Sequence, residues 1–406
     1  MITNVDLYDL NFWTRPPGER DETFAALRAA EEPVFCPRDD GPGFYALTRY
    51  EHVAEASRNP KVFSSEPTPV ALDDPPPAVQ ELIGSMISLD DPRHARLRRI
   101  VARAFTPRMI ARAADDVARL ATEIVDAIAE RGSCDFVTDV AMPMPLEIIC
   151  SMLGIPESVR PDVVEATNTL IQATGDPEYV APAGTDRATV MIENLTYLQN
   201  LGADVARHRR EHPADDVSTA LVTADVEGEA LSDVDLGRFF QLLVIAGNET
   251  TRNALSHALW LFTEHPGQRA LLLADLDERL PAAAEEVVRY ASPVNWMRRN
   301  VTTDTELAGH AYRAGDRVVL YYVSANRDER VFTDPGRFDI TRSPNPHVGF
   351  GAPGPHFCLG AHLARREIAT MLRELFTRLP GIHATTAPVR QRASFVNGIK
   401  SLPCAF

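Results

Sequence analysis

The chain has 406 residues, 45% of them hydrophobic and 24% charged, and a formal net charge of −16. This is an ordinary globular composition, long enough for one large domain or two average ones, and its acidity argues against general affinity for nucleic acid or anionic lipid. Five cysteines (Cys36, Cys134, Cys150, Cys358, Cys404) are odd in number, widely spaced and never in CxxC spacing, so neither a disulfide framework nor a zinc site is expected and a reducing cytoplasm fits.

The N-terminus, MITNVDLYDLNFWTRPP, is acidic and lacks an apolar run, which predicts no signal peptide. Gly43–Thr48 reads as a strand and Tyr50–Ser57 as a short helix. The Pro-rich stretch Glu66–Ala78 predicts a long, mobile loop. Amphipathic helices follow at Pro92–Phe105, Pro107–Arg131, Pro143–Met152 and roughly Asn194–Glu211. Ser232 and Asp235 form an S-x-x-D capping box that opens an apolar helix running to Phe262, with Pro266 as its stop. Roughly thirty residues at 1.5 Å each span about 45 Å, so this helix should run through the core. Its purely apolar run Leu242–Ala246 falls far short of a membrane span, and a soluble protein without integral membrane association is expected. A further helix is predicted at Pro281–Tyr290. Thr303–Leu307 and Val318–Val323 alternate and flank the turn Arg313–Asp316, as strands of a hairpin would. With a last helix at Ala361–Leu379 and no internal repeat, the chain reads as one mainly α domain over residues 1–406. Its β-rich part lies within about residues 1–65, and its helical core and cysteine loop within about residues 90–406.

The segment His347–Gly360 (HVGFGAPGPHFCLG) holds four glycines and two prolines around Cys358, and a helix follows at once. A rigid loop that brings backbone N–H groups to a sulfur near a helix N-terminus stabilises a thiolate. A lone cysteine in a Gly-rich turn is usually just a buried thiol. Here the loop extends for a dozen residues and continues into AHLARREI, and it resembles the cysteine loop of the cytochrome P450 superfamily. Phe350, Gly354, His356, Cys358 and Gly360 match that pattern in order, except that Phe350 stands eight residues before the cysteine where most members have seven.

The resemblance implies the fold of that family, a large helical domain with a smaller β-rich region, and haem b between the long helix and the cysteine loop. Cys358 would ligate the iron, with Phe350, Gly351, Gly360 and Ala246 around the ring and His94, Arg98, Arg299 and His356 on the propionates. In the long helix, Ala246 and Gly247 leave room for a small ligand, and Gly with hydroxyl residues weakens the ladder there, allowing a kink. Glu249 and Thr250 then offer an acid and a hydroxyl side by side, and the resemblance assigns them to proton delivery. Glu286 and Arg289 form E-x-x-R, a scaffold pair that the family completes with an arginine from a P-x-R-F segment, here Arg337 of PGRF.

Several stretches, among them VIAGNETTRNA, YASPVNWMRRN, Ser343–Gly351 and NGIKSLP, are more specific. They resemble actinobacterial members that hydroxylate methyl-branched lipids, isoprenoids and sterol side chains, often at a terminal methyl. Family position places Leu242, Ile245, Val294, Trp296, Met297 and Val396 by the substrate, with the Pro-rich loop and residues near Asn168–Val180 as a lid. The chain has no flavin, nicotinamide or ferredoxin-like motif, so electrons from NAD(P)H would arrive through a separate ferredoxin and its reductase. Arg365, Arg366, Arg373, Arg93, Arg96, Arg99, Arg103 and Arg112 would form a cationic docking face. Rival readings are oxidation of smaller aromatic or terpene compounds, a peroxide-driven haem-thiolate enzyme, and a non-enzymatic haem protein.

Overall fold

A computed structural model describes residues 5–38, 41–104, 107–175, 179–224 and 231–406. Helix dominates, as the hydrophobic periodicity requires. The predicted helices appear at Tyr50–Arg58, Arg93–Ala104, Pro107–Ala129, Pro143–Leu153 and Ala361–Arg378; Phe105, the predicted end of one of them, lies outside the described residues. The helix expected from Asn194 begins earlier, at Arg187, because Asp186 caps it by accepting the N–H of Thr189 at 2.7 Å. The helix expected from Pro281 likewise begins at Leu276 under an Asp275 cap, with the proline inside it.

The long helix spans Asp233–Glu264, and Ser232 accepts the N–H of Asp235 at 3.1 Å as its cap. Its C-terminal half is largely buried, with Arg252, Asn253, Ser256 and His257 among the buried residues as well as the apolar ones. Ala254, Leu255, Ala258, Leu259 and Phe262 join Val287 and Val288 of the helix Leu276–Ala291 and Ile368, Met371 and Leu372 of the helix after the cysteine in one core. The segment in which a kink or bulge was allowed, Ala246–Thr251, stays within one unbroken helix. Local weakening shows instead as the Thr250 hydroxyl donating back to the Ala246 carbonyl at 2.9 Å. Among the described residues, no helix is long and apolar enough to cross a membrane.

The principal sheet has five strands in the order Val34–Cys36, Phe44–Leu47, Arg317–Tyr321, Trp296–Val301 and Phe63–Ser64. The hairpin predicted around Arg313–Asp316 is corrected here. Thr305–Leu307 pairs with His310–Tyr312 across the tight turn Ala308–Gly309, whose two φ angles are 58° and 75°, whereas Arg317–Tyr321 lies antiparallel to Trp296–Val301. The alternation of the two runs was real, but turn chemistry at Ala308–Gly309 decided the partner. The Pro-rich stretch is a loop as far as Pro76, where the helix Pro77–Ile83 begins, and its middle is tied down: Arg298 donates to the Leu72 carbonyl at 2.9 Å and pairs with Asp74, as does Arg317.

Candidate active site

Two consecutive glutamates position the cysteine loop. Glu286, with no exposed surface, accepts two hydrogen bonds from Arg289, both 2.7 Å, and one each from the Asp339 N–H and the Asn345 amide. Arg289 also donates to the carbonyls of Asn326, Pro335 and Arg337. The third cation is not Arg337, whose side chain is 62% exposed, but Arg342, 3.3 Å from Glu286. The correction follows from direction: Arg337 turns its guanidinium to solvent and gives the cluster only its carbonyl. Glu285, unnoticed in the sequence, receives His347 at 2.9 Å and Arg365, one residue from each flank of the loop. Burial would raise its pKa, but those two hydrogen bonds outweigh burial and hold it at about 2.

The extra residue before the cysteine is absorbed without unseating Phe350, which packs on the main core under the Arg365 guanidinium, 4.4 Å from its ring centre. The Cys358 N–H donates to the Phe350 carbonyl at 2.9 Å. Gly354 allows the loop to close on the helix Tyr50–Arg58: a Cβ there would stand 2.3 Å from the Ser57 carbonyl oxygen. Cys358 presents its surface to an internal cavity. Burial raises the thiol pKa despite the Gly360 N–H, Arg98 and Arg365 acting the other way. The expected lowering by loop and helix is therefore outweighed by desolvation in the protein alone.

Every residue predicted to contact a cofactor lies on this cavity: Ala246, Phe350, Gly351, Cys358 and Gly360, with His94, Arg98, Arg299 and His356. The four basic residues are gathered closely. The His94 and His356 rings are 4.1 Å apart, and Arg98 donates to the Phe357 carbonyl at 2.6 Å. The buried Nε2 of His94 has no partner, and among the described residues neither Arg98 nor Arg299 is paired with a carboxylate. Burial, then Arg299, His94 and Arg98, hold the His356 pKa at about 2. His94 Nδ1 stands 3.6 Å from Asp91, but the two arginines, left without carboxylate partners in a cavity, call for an anionic ligand. A thiol sulfur on the same wall completes a donor set that fits haem, with its iron and two propionates.

On the long helix, Thr250 and Thr251 line the cavity. Gly247 lines it too, and a Cβ there would meet the Ile149 side chain at 2.5 Å. Glu249 does not line it: its carboxylate turns aside to Arg252 at 3.4 Å and to Gln391, because one residue along a helix is a rotation of about 100°. Burial raises its pKa all the same. The acid that does face the cavity is Glu367, 2% exposed and hydrogen-bonded to Thr251, with its pKa pushed by burial up to about 8. Nothing in the sequence flagged it, since it reads as one more charge in ARRE.

Of the predicted substrate contacts, Leu242, Val294 and Met297 line the cavity, and Ile245, Trp296 and Val396 do not. Ile245 packs outward against the neighbouring helices. Trp296 is 2% exposed inside a core with Phe12 and Trp13, because strand alternation sends it to the face opposite Met297. Val396 serves through its backbone, bridging Val294. Pro69, from the Pro-rich loop expected as a lid, lies on the same wall, and the sequence reading missed Met86, Ile87, Phe239 and Leu243 there. On the presumed docking face, Arg365, Arg373 and Arg112 are engaged with Glu285, Asp277 and Asp215 respectively.

A family model described as cytochrome P450 matches residues 7–380. The methyl-branched lipid omega-hydroxylase of Mycobacterium tuberculosis is 44% identical over 415 residues, covering 99% of this chain and 94% of that protein. The steroid C26-monooxygenase of Mycolicibacterium smegmatis is 39% identical, covering 88% of this chain and 82% of that protein. A solved Mycobacterium marinum cytochrome P450 in complex with pseudoionone superposes with a TM-score of 0.92 at 40% identity, covering 100% and 99%.

Proposed function

The chain belongs to the cytochrome P450 family and is a monooxygenase, and from that premise we propose that it hydroxylates methyl-branched lipids, isoprenoids or sterol side chains at a terminal methyl group. The observation that carries this reading is the cavity wall. Apart from the basic cluster, Cys358, Thr250, Thr251, Tyr322 and Glu367, its side chains are aliphatic, aromatic or thioether, from Pro69, Met86 and Ile87 across Phe239, Leu242 and Leu243 to Met297. A polar ligand buried there would lose its hydrogen bonds to water without replacement, whereas a hydrocarbon terminus gains about 25 cal/mol per Å² buried. The names of the two mycobacterial relatives support the same substrate class.

Haem b is the cofactor, which we assign to Cys358 as iron ligand and to His94, Arg98, Arg299 and His356 as propionate partners. Bound through a thiolate, haem supplies the dioxygen activation that C–H hydroxylation requires. The protein's own part is to hold a methyl terminus against an apolar wall, to exclude water, and to deliver protons. The proton of Thr250 Oγ1 is given to Ala246, so its lone pairs are left to accept a hydrogen bond inside the cavity. Glu249, whose burial favours the protonated form, is the proposed proton source, and to serve it must turn its carboxylate from Arg252 and Gln391 toward Thr250. Electrons reach the site from NAD(P)H through a separate ferredoxin and reductase.

An optical titration of the ferric holoprotein with methyl-branched fatty acids, sterol ketones, straight-chain fatty acids and small aromatics tests this substrate class. Tight, selective low-to-high-spin shifts with the branched lipids or sterols are expected. Shifts confined to small aromatics would overturn the assignment.

A further inference from the structure

We propose that Cys134 and Cys404 form an oxidisable dithiol, a modification site whose disulfide fastens the C-terminal strand to the strand Ser133–Asp135. Their sulfurs lie 3.4 Å apart although 270 residues separate them in sequence. The two residues are direct partners in an antiparallel ladder, flanked by hydrogen bonds from Phe136 to Leu402 and from Phe406 to Gly132. Such a pair sits in a hydrogen-bonded register, with Cα atoms about 5.5 Å apart and both side chains on one face. That separation lies within the range a disulfide accepts, so the bond needs only a small rotation of each side chain. Cys134 is half-buried and within reach of a small oxidant, and Cys404 lies behind it, 1% exposed.

The two thiols share one hydrogen bond, in which either sulfur can be the donor. With hydrogen peroxide as oxidant, the thiolate of one cysteine attacks one oxygen and breaks the O–O bond, giving a sulfenic acid and hydroxide. The sulfur of the other cysteine then attacks that sulfenic sulfur, the S–S bond forms, and the departing hydroxide takes up the second thiol's proton as water. In sum, two thiols and one peroxide give one disulfide and two waters, with two electrons passing from sulfur to peroxide.

The bond would act on more than a chain end. Pro403–Ala405 is the middle strand between Ser133–Asp135 and His383–Ala384. The preceding strand Ile399–Ser401 leads back to Val396, which bridges Val294 on the cavity wall. Oxidation therefore locks the segment that backs one side of the pocket. A cross-link closing so long a loop removes conformational freedom from the unfolded chain, and the folded state gains accordingly.

The test uses reduced holoprotein treated with stoichiometric hydrogen peroxide, alkylated and mapped without reductant. The expected result is one cross-linked peptide pair joining Cys134 to Cys404, reversed by dithiothreitol and accompanied by a thermal midpoint a few degrees higher. In Cys134→Ser and in Cys404→Ser the cross-link and the oxidation-dependent thermal shift should both vanish, and dimedone should trap the remaining thiol of the pair as sulfenic acid in at least one of them. The proposal is overturned if both thiols still alkylate after peroxide has consumed other cysteines, or if the cross-link joins a different pair.

Discussion

Replacing Glu286 by glutamine keeps the side chain's shape and removes its charge from beneath a fully buried guanidinium. Glu286 and Arg289 are both 0% exposed in their side chains and share two hydrogen bonds of 2.7 Å. Taking away one charge of such a pair leaves the other uncompensated, a loss of roughly 3–5 kcal/mol. Arg342→Ala should cost less, about 1–3 kcal/mol, because it removes one contact with Glu286 and hydrogen bonds to the Thr333, Asp334 and Arg337 carbonyls. Arg337→Ala should cost under about 1 kcal/mol, since its side chain is 62% exposed and 3.9 Å from Asp339. Urea unfolding of the three ferric holoproteins, followed by circular dichroism and by the haem absorbance retained, gives the order directly. An Arg337→Ala variant as unstable as Arg342→Ala would refute the assignment of the third cation. A Glu286→Gln variant within about 1 kcal/mol of wild type would refute the reasoning about the buried charge.

The remaining predictions are of the same kind. Glu367 keeps its proton up to pH about 8 when folded and releases it near 4.5 when unfolded. The folded state therefore binds the extra proton between those values, and stability falls as pH rises through that window, by at most ~5 kcal/mol at 1.36 kcal/mol per pKa unit. Glu367→Gln should flatten that slope in urea midpoints measured at pH about 5.5 and about 8.5; an unchanged slope would reject the buried, protonated acid. Thr250→Ala should retain haem and substrate affinity while diverting NADH consumption to peroxide, and wild-type coupling in that variant would remove Thr250 from proton delivery. Charge reversal at Arg103 and Arg112 should slow reduction by a ferredoxin, most of all at low ionic strength. A salt-independent rate equal to wild type would remove these residues from docking.

Legibility in the sequence followed the range of the interactions. The long helix, its Ser232 cap and the cysteine loop rest on local signals, namely apolar periodicity, a capping box and a Gly/Pro cluster, and each lies where those signals put it. The hairpin near Arg313 failed because strand partnership is not local: two alternating runs met other partners once Ala308–Gly309 supplied a tighter turn. Basic groups around the cavity were legible through the family pattern, whereas Glu285 and Arg342 were not. Their roles depend on which way a guanidinium turns after folding. Trp296 and Met297 make the same point at single-residue scale, since adjacent strand residues face opposite sides and only register tells which side is the pocket. Glu249 and Glu367 could not be ranked from sequence, because helix rotation alone decides which acid meets the cavity.

Turnover of a methyl-branched fatty acid under ¹⁸O-labelled dioxygen, with a ferredoxin system and positional analysis of the product by mass spectrometry, addresses the central claim most directly. The account predicts one labelled oxygen per product, carried as a hydroxyl on a terminal methyl carbon, and no product from Cys358→Ser protein. Product lacking the label, or hydroxylated only at interior carbons, would contradict it.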